Sequence, residues 1–561
     1  MADQTVSNRI SGRSAFLSLL RSEGVSHLFG NPGTTELPIM HALTDEPDLT
    51  YVLGLQESIV IAMADGYARA SGNLPACNVH VAPGLGNAIG TLYTAYNSGT
   101  PMILTAGQQE QGHGLTEPLL YAPLVPMAEP VVKWAVEVTR LEDLPRIVHR
   151  AAKVATTPPT GPVFISLPGD ILNAFAALDL GAATRVDTRV RPSDALLADL
   201  ADTLASARNP VLIAGHEIVA ADAFDEAARL AEMLGAPVYQ QTVVHGAHFP
   251  SRHPAYKGSL SRNQPQVREI LAPHDMLVCL GADVLRMSVH HEVDPLPEHM
   301  RVVQIGQRDW EMGKNYAAEL AVRADLRETL SALAAPLAER LDRNAADAAA
   351  ARLEALARDN WSTRRMAAAE RVMAAGPGEA GALDPAWLMY RLCETLPEEA
   401  IVVDEGITTA ASLPTFLAYR DRHSYFGNVS GGIGWGIAAA VGIKLAQPDR
   451  PVVAVIGDGS AQYSIQALWT AASQKLPMVF LLANNGGYRI IKQRLTAFHG
   501  NDTYIGMDFE DPSIDFSALA RAYGLEAERV EAGEDFEPAL RRALAADGPV
   551  LLEVMVDGRP T

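Results

Sequence analysis

Val452-Val453-Ala454-Val455-Ile456-Gly457-Asp458-Gly459-Ser460 opens the stretch that decides the fold, and Met478–Ala483 followed by Asn484-Asn485-Gly486-Gly487 closes it. Each part is a short apolar run that ends in glycine and a side chain bearing oxygen. Runs this short, without alternation, read as strands buried on both faces. Twenty-seven residues separate Asp458 from Asn485, the length of one strand–helix–strand unit in a parallel sheet. Both polar segments then sit at the carboxyl ends of adjacent strands, where open α/β sheets bind ligands. Mg²⁺ takes hard oxygen ligands and shares them with phosphates. Asp458 offers a carboxylate, Asn485 an amide oxygen and Gly487 a backbone carbonyl. Gly457 makes the turn, and Gly459 and Ser460 bring N–H groups and a hydroxyl to the phosphates at a helix start. Gly-Asp-Gly alone is often only a tight turn; the pair of motifs at this spacing carries the reading.

The same alternation runs outward from this stretch. Pro385–Thr395 predicts a helix, Ile401–Val403 a strand and Ile433–Leu445 a helix. In the first third, GRSAFLSLLRSEG reads as a helix ending at a glycine, and SHLFG as a strand into the turn Asn31-Pro32-Gly33. Glu57–Ala70 follows as helix, Ala76–His80 as strand, Gly86–Tyr96 as helix and Met102–Thr105 as strand. Gly84-Leu85-Gly86-Asn87-Ala88-Ile89-Gly90 and Gly432-Ile433-Gly434-Trp435-Gly436-Ile437 each precede a helix and then a strand, a faint internal repeat. Between them, strands are expected at Val211–Ala214, Pro237–Tyr239, Met276–Leu280 and Val302–Ile305. The fold class is α/β: three doubly wound domains with mainly parallel sheets. The expected divisions are 1–185, 191–340, a helix and linker over 341–380, and 381–561.

Composition narrows the function. Of 561 residues, 66 are Asp or Glu and 45 Lys or Arg, a formal net charge of −21. Such acidity argues against a nucleic-acid surface. No apolar run reaches the roughly 18 residues of a membrane span, and MADQTVSNRISGR has no signal-peptide core. Cys77, Cys279 and Cys393 are far apart and form no CxxC pair, so a cytoplasmic, disulfide-free chain is expected.

Taken together, Gly-Asp-Gly, the interval and Asn-Asn resemble the fingerprint of the thiamine-diphosphate-dependent decarboxylase and carboligase family. FGNPGTTELP, LQESIVIAMADGYARASG, HVAPGLGNAIG and GDGSAQYSIQALWTAA are most similar to its benzoylformate decarboxylase branch. The resemblance covers nearly the whole chain, in the order pyrimidine-binding domain, middle domain, diphosphate-binding domain. It implies thiamine diphosphate and Mg²⁺ as cofactors, and a homodimer or homotetramer, because in this family the cofactor lies between two subunits.

The resemblance also implies site residues. Glu57 matches the activating glutamate, whose carboxyl group bonds to the cofactor's pyrimidine ring and promotes loss of the thiazolium proton. Ile433 matches the apolar residue that props the cofactor into a bent shape. His80 matches one of the branch's two catalytic histidines. In Arg286–Pro295, His291 matches the second better than His290. Thr34 stands where the branch has a serine that binds the substrate carboxylate. Each has a plainer reading: a helix-start carboxylate, a packing residue, solvated histidines, a turn threonine.

The pattern departs from the branch around the substrate. Two positions that carry aromatic rings there become Gly427 and Arg494, and Arg494 ends the basic stretch Tyr488-Arg489-Ile490-Ile491-Lys492-Gln493-Arg494. The implied activity is non-oxidative decarboxylation of a 2-oxo acid to an aldehyde and CO₂, with carboligase side activity. The alternative is a carboligase or 2-hydroxyacyl-CoA lyase of the same family, with Arg494 facing an anionic substrate. A non-catalytic cofactor-binding subunit is the remaining alternative. After the strand Val302–Ile305 comes Gly306-Gln307-Arg308-Asp309, without the early acidic residue expected of a nucleotide-binding middle domain.

Overall fold

The computed structural model describes residues 9–288 and 290–560. The start of the polar N-terminal segment, residues 1–8, lies outside the described residues. Among the described residues no helix is long and apolar enough to cross a membrane. The backbone forms two compact units, one of Met1–Val186, Val403–Thr408 and Asn428–Thr561, the other of Asp187–Val402 and Thr409–Gly427.

Three six-stranded sheets organise the chain. The first holds β1 (His27–Gly30), β2 (Thr50–Leu53), β3 (Ala76–Val79), β4 (Met102–Gln108), β5 (Trp134–Glu137) and β6 (Pro162–Pro168), in the order β2-β1-β3-β4-β6-β5. Its strands pair in parallel. The middle sheet holds β7 (Pro210–Ala214), β8 (Val238–Gln240), β9 (Tyr256–Ser259), β10 (Met276–Leu280), β11 (Arg301–Gly306) and β12 (Leu320–Arg323). It is ordered β9-β8-β7-β10-β11-β12, the doubly wound arrangement. The third holds β13 (Ile401–Glu405), β14 (Tyr425–Gly427), β15 (Val452–Gly457), β16 (Val479–Asn484), β17 (Glu526–Val530) and β18 (Val550–Met555). Its order, β14-β13-β15-β16-β18-β17, repeats that of the first sheet strand for strand. The repeat faintly visible in the glycine motifs is therefore a repeat of topology.

Helix α1 (Glu57–Ser71) begins where the Gln56 side chain accepts from Ser58 N at 2.6 Å, and ends at Gly72 with φ 73°. It is buried from Ile59 to Ala68 because it packs against a second apolar helix. Helix α2 (Val81–Ser98) follows β3, and α3 (Gly436–Ala446) precedes β15. Where α1 crosses α3, a Cβ on Gly66 would lie 2.2 Å from Ala439 O, and one on Gly442 1.9 Å from Met63 O. A methyl group at either would force the backbones apart, at about 1–3 kcal/mol.

Three local expectations need correction. The Gly84–Gly90 segment is not a turn before a helix: α2 already begins at Val81. The last helix starts at Gly436 rather than Ile433, because Gly431 (φ 79°) and Gly434 (φ 100°) hold the segment in left-handed turns. The 345–375 region is two helices, Arg343–Ala357 and Trp361–Ala375, parted where Asn360 caps the second by accepting from Thr363 N at 3.0 Å.

Candidate active site

The carboxyl edge of the first sheet gathers acid and base groups. Glu36, just after β1, is fully buried. One oxygen accepts from Gly33 N (2.9 Å) and faces His80 Nδ1 (2.8 Å); the other accepts from Thr35 Oγ1 (2.7 Å) and Gly107 N (2.8 Å). A buried carboxylate needs donors on both oxygens, and this set supplies them. The network assigns the proton of His80 to Nδ1, leaving Nε2 as the outward nitrogen. A Cβ on Gly33 would lie 2.2 Å from the His80 ring, so the Asn-Pro-Gly turn needs glycine there for the ring to sit against the backbone. The His80 side chain keeps 22% of its exposure, enough to reach a ligand. Val81, the next residue, has φ 45°, strained for a β-branched side chain.

Glu57 opens α1 at the end of the neighbouring strand's loop and is half-buried. Asn87 Nδ2 donates to its Oε2 at 3.0 Å. A Cβ on Gly84 would stand 3.2 Å from its other oxygen, so glycine keeps room around the carboxylate. Thr34 is exposed, and the hydroxyl that meets His80 Nδ1, at 3.0 Å, belongs to Thr35. Glu36, Thr35 and Asn87 were not singled out from sequence. A signal for Glu36 existed: it stands three residues after Gly33, the spacing of a capping pair.

The third sheet's edge gathers a different chemistry. Asp458, at the end of β15, is 2% exposed, and burial pushes its carboxyl group up to about 6. Its Oδ1 accepts from Gly459 N (2.9 Å) and its Oδ2 from Gly487 N (3.0 Å), which ties the two motifs together across adjacent strands. The two asparagines divide the work. Asn484 is buried and donates to the fully buried Glu553 at 2.8 Å, so it is structural. Asn485 is half-buried, its Oδ1 3.2 Å from Gly487 N. Gly487 O accepts from Arg489 N at 3.0 Å and has a second lone pair. Ser460 Oγ is buried without a hydrogen-bond partner, and a Cβ on Gly459 would lie 2.7 Å from the Tyr488 ring. A buried carboxylate, an amide oxygen, a carbonyl and an unmatched hydroxyl suit a hard cation with a diphosphate.

Ile433 lies half-buried in the glycine loop before α3. Helix α4 (Arg489–His499) carries the basic stretch. Lys492 is buried and ion-paired with Asp508, and Arg489 Nε donates to Arg559 O at 2.8 Å. Lys492 is thus committed to a carboxylate of the chain itself, while Arg489 spends one of its donors on a backbone carbonyl. Arg494 is exposed, its guanidinium 5.7 Å over the Phe498 ring.

In the other unit, His290 and His291 are both exposed in a loop, and His291 Nδ1 accepts from Val293 N at 3.0 Å. Val289 lies outside the described residues. A Cβ on Gly427 would meet Tyr425 Oη at 2.9 Å and Val244 O at 3.2 Å, so the backbone there is closely covered. At the carboxyl edge of the middle sheet, Glu217 accepts from Gln307 N at 2.7 Å and lies against Gly281 and Gly306. Burial pushes Glu217 up to about 7, and the cleft beside it holds about 10 Å³.

The sequence matches the N-terminal TPP binding domain of thiamine pyrophosphate enzymes over residues 10–118, the central domain over 197–333 and the C-terminal TPP binding domain over 406–554. The chain belongs to the thiamine pyrophosphate enzyme family. Within it, this thiamine pyrophosphate enzyme is 36% identical to benzoylformate decarboxylase of Pseudomonas aeruginosa, over 96% of the chain and 98% of the relative. It is 27% identical to acetolactate synthase of Arthrospira platensis, over 98% and 94%. Among solved structures it is similar to the 4-hydroxybenzoylformate decarboxylase of Rhodococcus jostii, with TM-score 0.86 and 34% identity over 98% of this chain and all of that one. Benzoylformate decarboxylase of Polynucleobacter necessarius gives TM-score 0.86 at 29% identity, over 98% and 99%. The chain is an enzyme of the thiamine-pyrophosphate-dependent decarboxylase group.

Proposed function

We propose that this enzyme decarboxylates an aromatic 2-oxo acid of the benzoylformate type to an aldehyde and CO₂, using thiamine diphosphate held through Mg²⁺, with carboligation as a side reaction. The observation that carries the reading is His80 held by buried Glu36 on the same sheet edge as Glu57. In this reading the ring transfers protons and Glu57 is the activating carboxyl group. The assembly is a homo-oligomer in which a second copy completes the cofactor site.

In this reading Asp458, Asn485 and Gly487 O hold the cation, and Ser460 Oγ meets the diphosphate, while Gly459, whose N–H is held by Asp458, keeps the turn free of a side chain. When bound, the cofactor supplies a carbon nucleophile that also accepts the electron pair left by CO₂. Glu57 bonds to its pyrimidine ring, kept in place by Asn87. His80 carries a proton at its outward nitrogen to or from the reacting carbon, its orientation set by Glu36. His291, or His290 beside it, contributes a second proton-transferring group, and Thr34 a hydroxyl near the substrate carboxylate. The likeness to benzoylformate-type decarboxylases favours an aromatic substrate, and so does the pairing of Lys492 with Asp508.

The test is aldehyde release from benzoylformate, 4-hydroxybenzoylformate, pyruvate, 2-oxoglutarate and a 2-hydroxyacyl-CoA, each with thiamine diphosphate and Mg²⁺, with CO₂ measured as well for the four 2-oxo acids. Aromatic acids are expected to give the highest kcat/KM. A preference for the dicarboxylate or the thioester overturns the proposal and makes Arg494 a substrate contact. An exposed cation over a ring is worth about 0.5–1 kcal/mol. Arg494→Phe is therefore expected to shift the substrate ratio by no more than roughly two- to fivefold.

A further inference from the structure

The glycine loop before α3 is held from below by a carboxylate that the sequence reading did not single out. Glu405 ends β13 and is 4% exposed. Its Oε1 accepts from Asn428 Nδ2 (3.0 Å) and Trp435 N (3.2 Å); its Oε2 accepts from Gly434 N (3.2 Å) and Gly436 N (2.9 Å). These three N–H groups belong to the loop and first turn of α3, which has no side-chain cap of its own. A helix start leaves such donors without intrahelical partners, and a carboxylate is the side chain that can take two bonds on each oxygen.

The loop has little else to define its shape. Gly431, Gly432, Gly434 and Gly436 make it costly to order. A Cβ on Gly436 would lie 2.8 Å from Glu405 Cβ and 2.6 Å from Ile456 Cδ1, and one on Gly434 2.4 Å from Tyr463 Cβ. The backbone is thus pressed onto Glu405 from one side and Tyr463 from the other. Asn428, itself held by Glu405, donates to Gly432 O and accepts from Ser430 N at 2.9 Å. Ser430 Oγ is 2.8 Å from Thr94 Oγ1 on α2, and Trp435 Nε1 donates to Asp65 on α1 at 2.7 Å. Ile433 is left half-buried in this loop, a large apolar residue that the core does not absorb.

We propose that Glu405 is a positioning residue: its buried carboxyl group fixes the Asn428–Gly436 loop and so presents Ile433 to the bound cofactor. The inference rests on the reading of Ile433 as the residue beneath that cofactor. Glu405→Gln keeps the volume but offers one acceptor oxygen and turns an NH₂ group toward backbone donors. Glu405→Asp keeps the carboxyl group but shortens the reach.

The experiment uses the full-length chain. Amide hydrogen exchange at Gly431–Gly436, measured without cofactor, is expected to accelerate at least about tenfold in Glu405→Gln, with the sheet strands unchanged. Turnover at saturating thiamine diphosphate and Mg²⁺ is then compared in Glu405→Gln, Ile433→Ala and the double variant. If Glu405 acts through Ile433, Glu405→Gln lowers kcat in the wild-type background and has little further effect in the Ile433→Ala background. Additive losses, or unchanged exchange in the loop, overturn the proposal. Should Glu405→Gln not fold, the same comparisons with Glu405→Asp decide it. If Ile433→Ala turns over like wild type, the reading of Ile433 falls, and the exchange result still decides whether Glu405 holds the loop.

Discussion

The first and third sheets have one topology and two chemistries. In each, the third strand in chain order ends at a functional residue: β3 at His80, β15 at Asp458. In each, the first strand leads to a buried glutamate. Glu36 follows β1 and takes Gly33 N, Gly107 N, Thr35 and His80. Glu405 ends β13 and takes Asn428, Gly434, Trp435 and Gly436. In the proposed reading one glutamate orients a ring that moves protons and the other shapes a loop. A shared fold therefore supplies equivalent places at a sheet edge, and the side chain at each place decides whether it binds an anion or transfers a proton.

If the third edge is the binding half, its largest effect falls on cofactor affinity. Asp458→Ala is expected to weaken binding of thiamine diphosphate with Mg²⁺ by roughly a hundredfold or more, since losing even an outer-shell partner of a metal costs 10- to 100-fold. Calorimetry reads this directly, and wild-type affinity would break the division of labour.

The first edge should show the opposite pattern. Glu57→Gln is expected to bind the cofactor nearly normally but exchange its thiazolium proton about 10²- to 10⁴-fold more slowly. NMR of the exchange decides it; an unchanged rate makes Glu57 structural.

Next in size come His80 and its partner. His80→Ala should lower kcat about a hundredfold with cofactor affinity kept. Glu36→Gln should lower it by roughly tenfold to a hundredfold and alter the pH profile, because the amide no longer favours the Nδ1 proton. A flat response in Glu36→Gln would reduce Glu36 to a packing role and remove its likeness to a catalytic partner.

The smallest effect is the pH dependence of stability at Glu405. Burial holds Glu405 protonated up to about 7, against an ordinary 4.5. Between those values the folded chain binds more protons than the unfolded chain, so stability falls as pH rises from 4.5 toward 7. The slope is at most about 1.4 kcal/mol per pH unit. Glu405→Gln has no such proton and should flatten that slope in melting curves taken at about pH 5, 6 and 7. An equal slope in both proteins would show that Glu405 does not titrate with folding.

Much of this was legible in the letters. Asp458 and Asn485 announced themselves because their ligand chemistry is local: each follows its own buried strand. Glu57 and His80 stood out through resemblance, since a helix-start carboxylate or a strand-end histidine is common by itself. Thr34 stood out through the same resemblance, whereas the Thr35 hydroxyl against His80 depends on the fold. Arg489, Lys492 and Arg494 looked like one basic set, although Lys492 pairs with Asp508 across a turn that periodicity does not show.

What the sequence by itself determined was the α/β alternation, the two cofactor motifs and their spacing, because buried strands and tight turns depend on neighbouring residues. Tertiary structure alone decided that Glu36 holds His80 and that Glu553 takes Asn484 rather than Asn485. It also decided that Glu405 bonds to backbone some thirty residues away. Those partnerships join residues 29 to 69 positions apart, and a buried carboxylate is satisfied by whichever donors the fold brings to it, which no local pattern encodes.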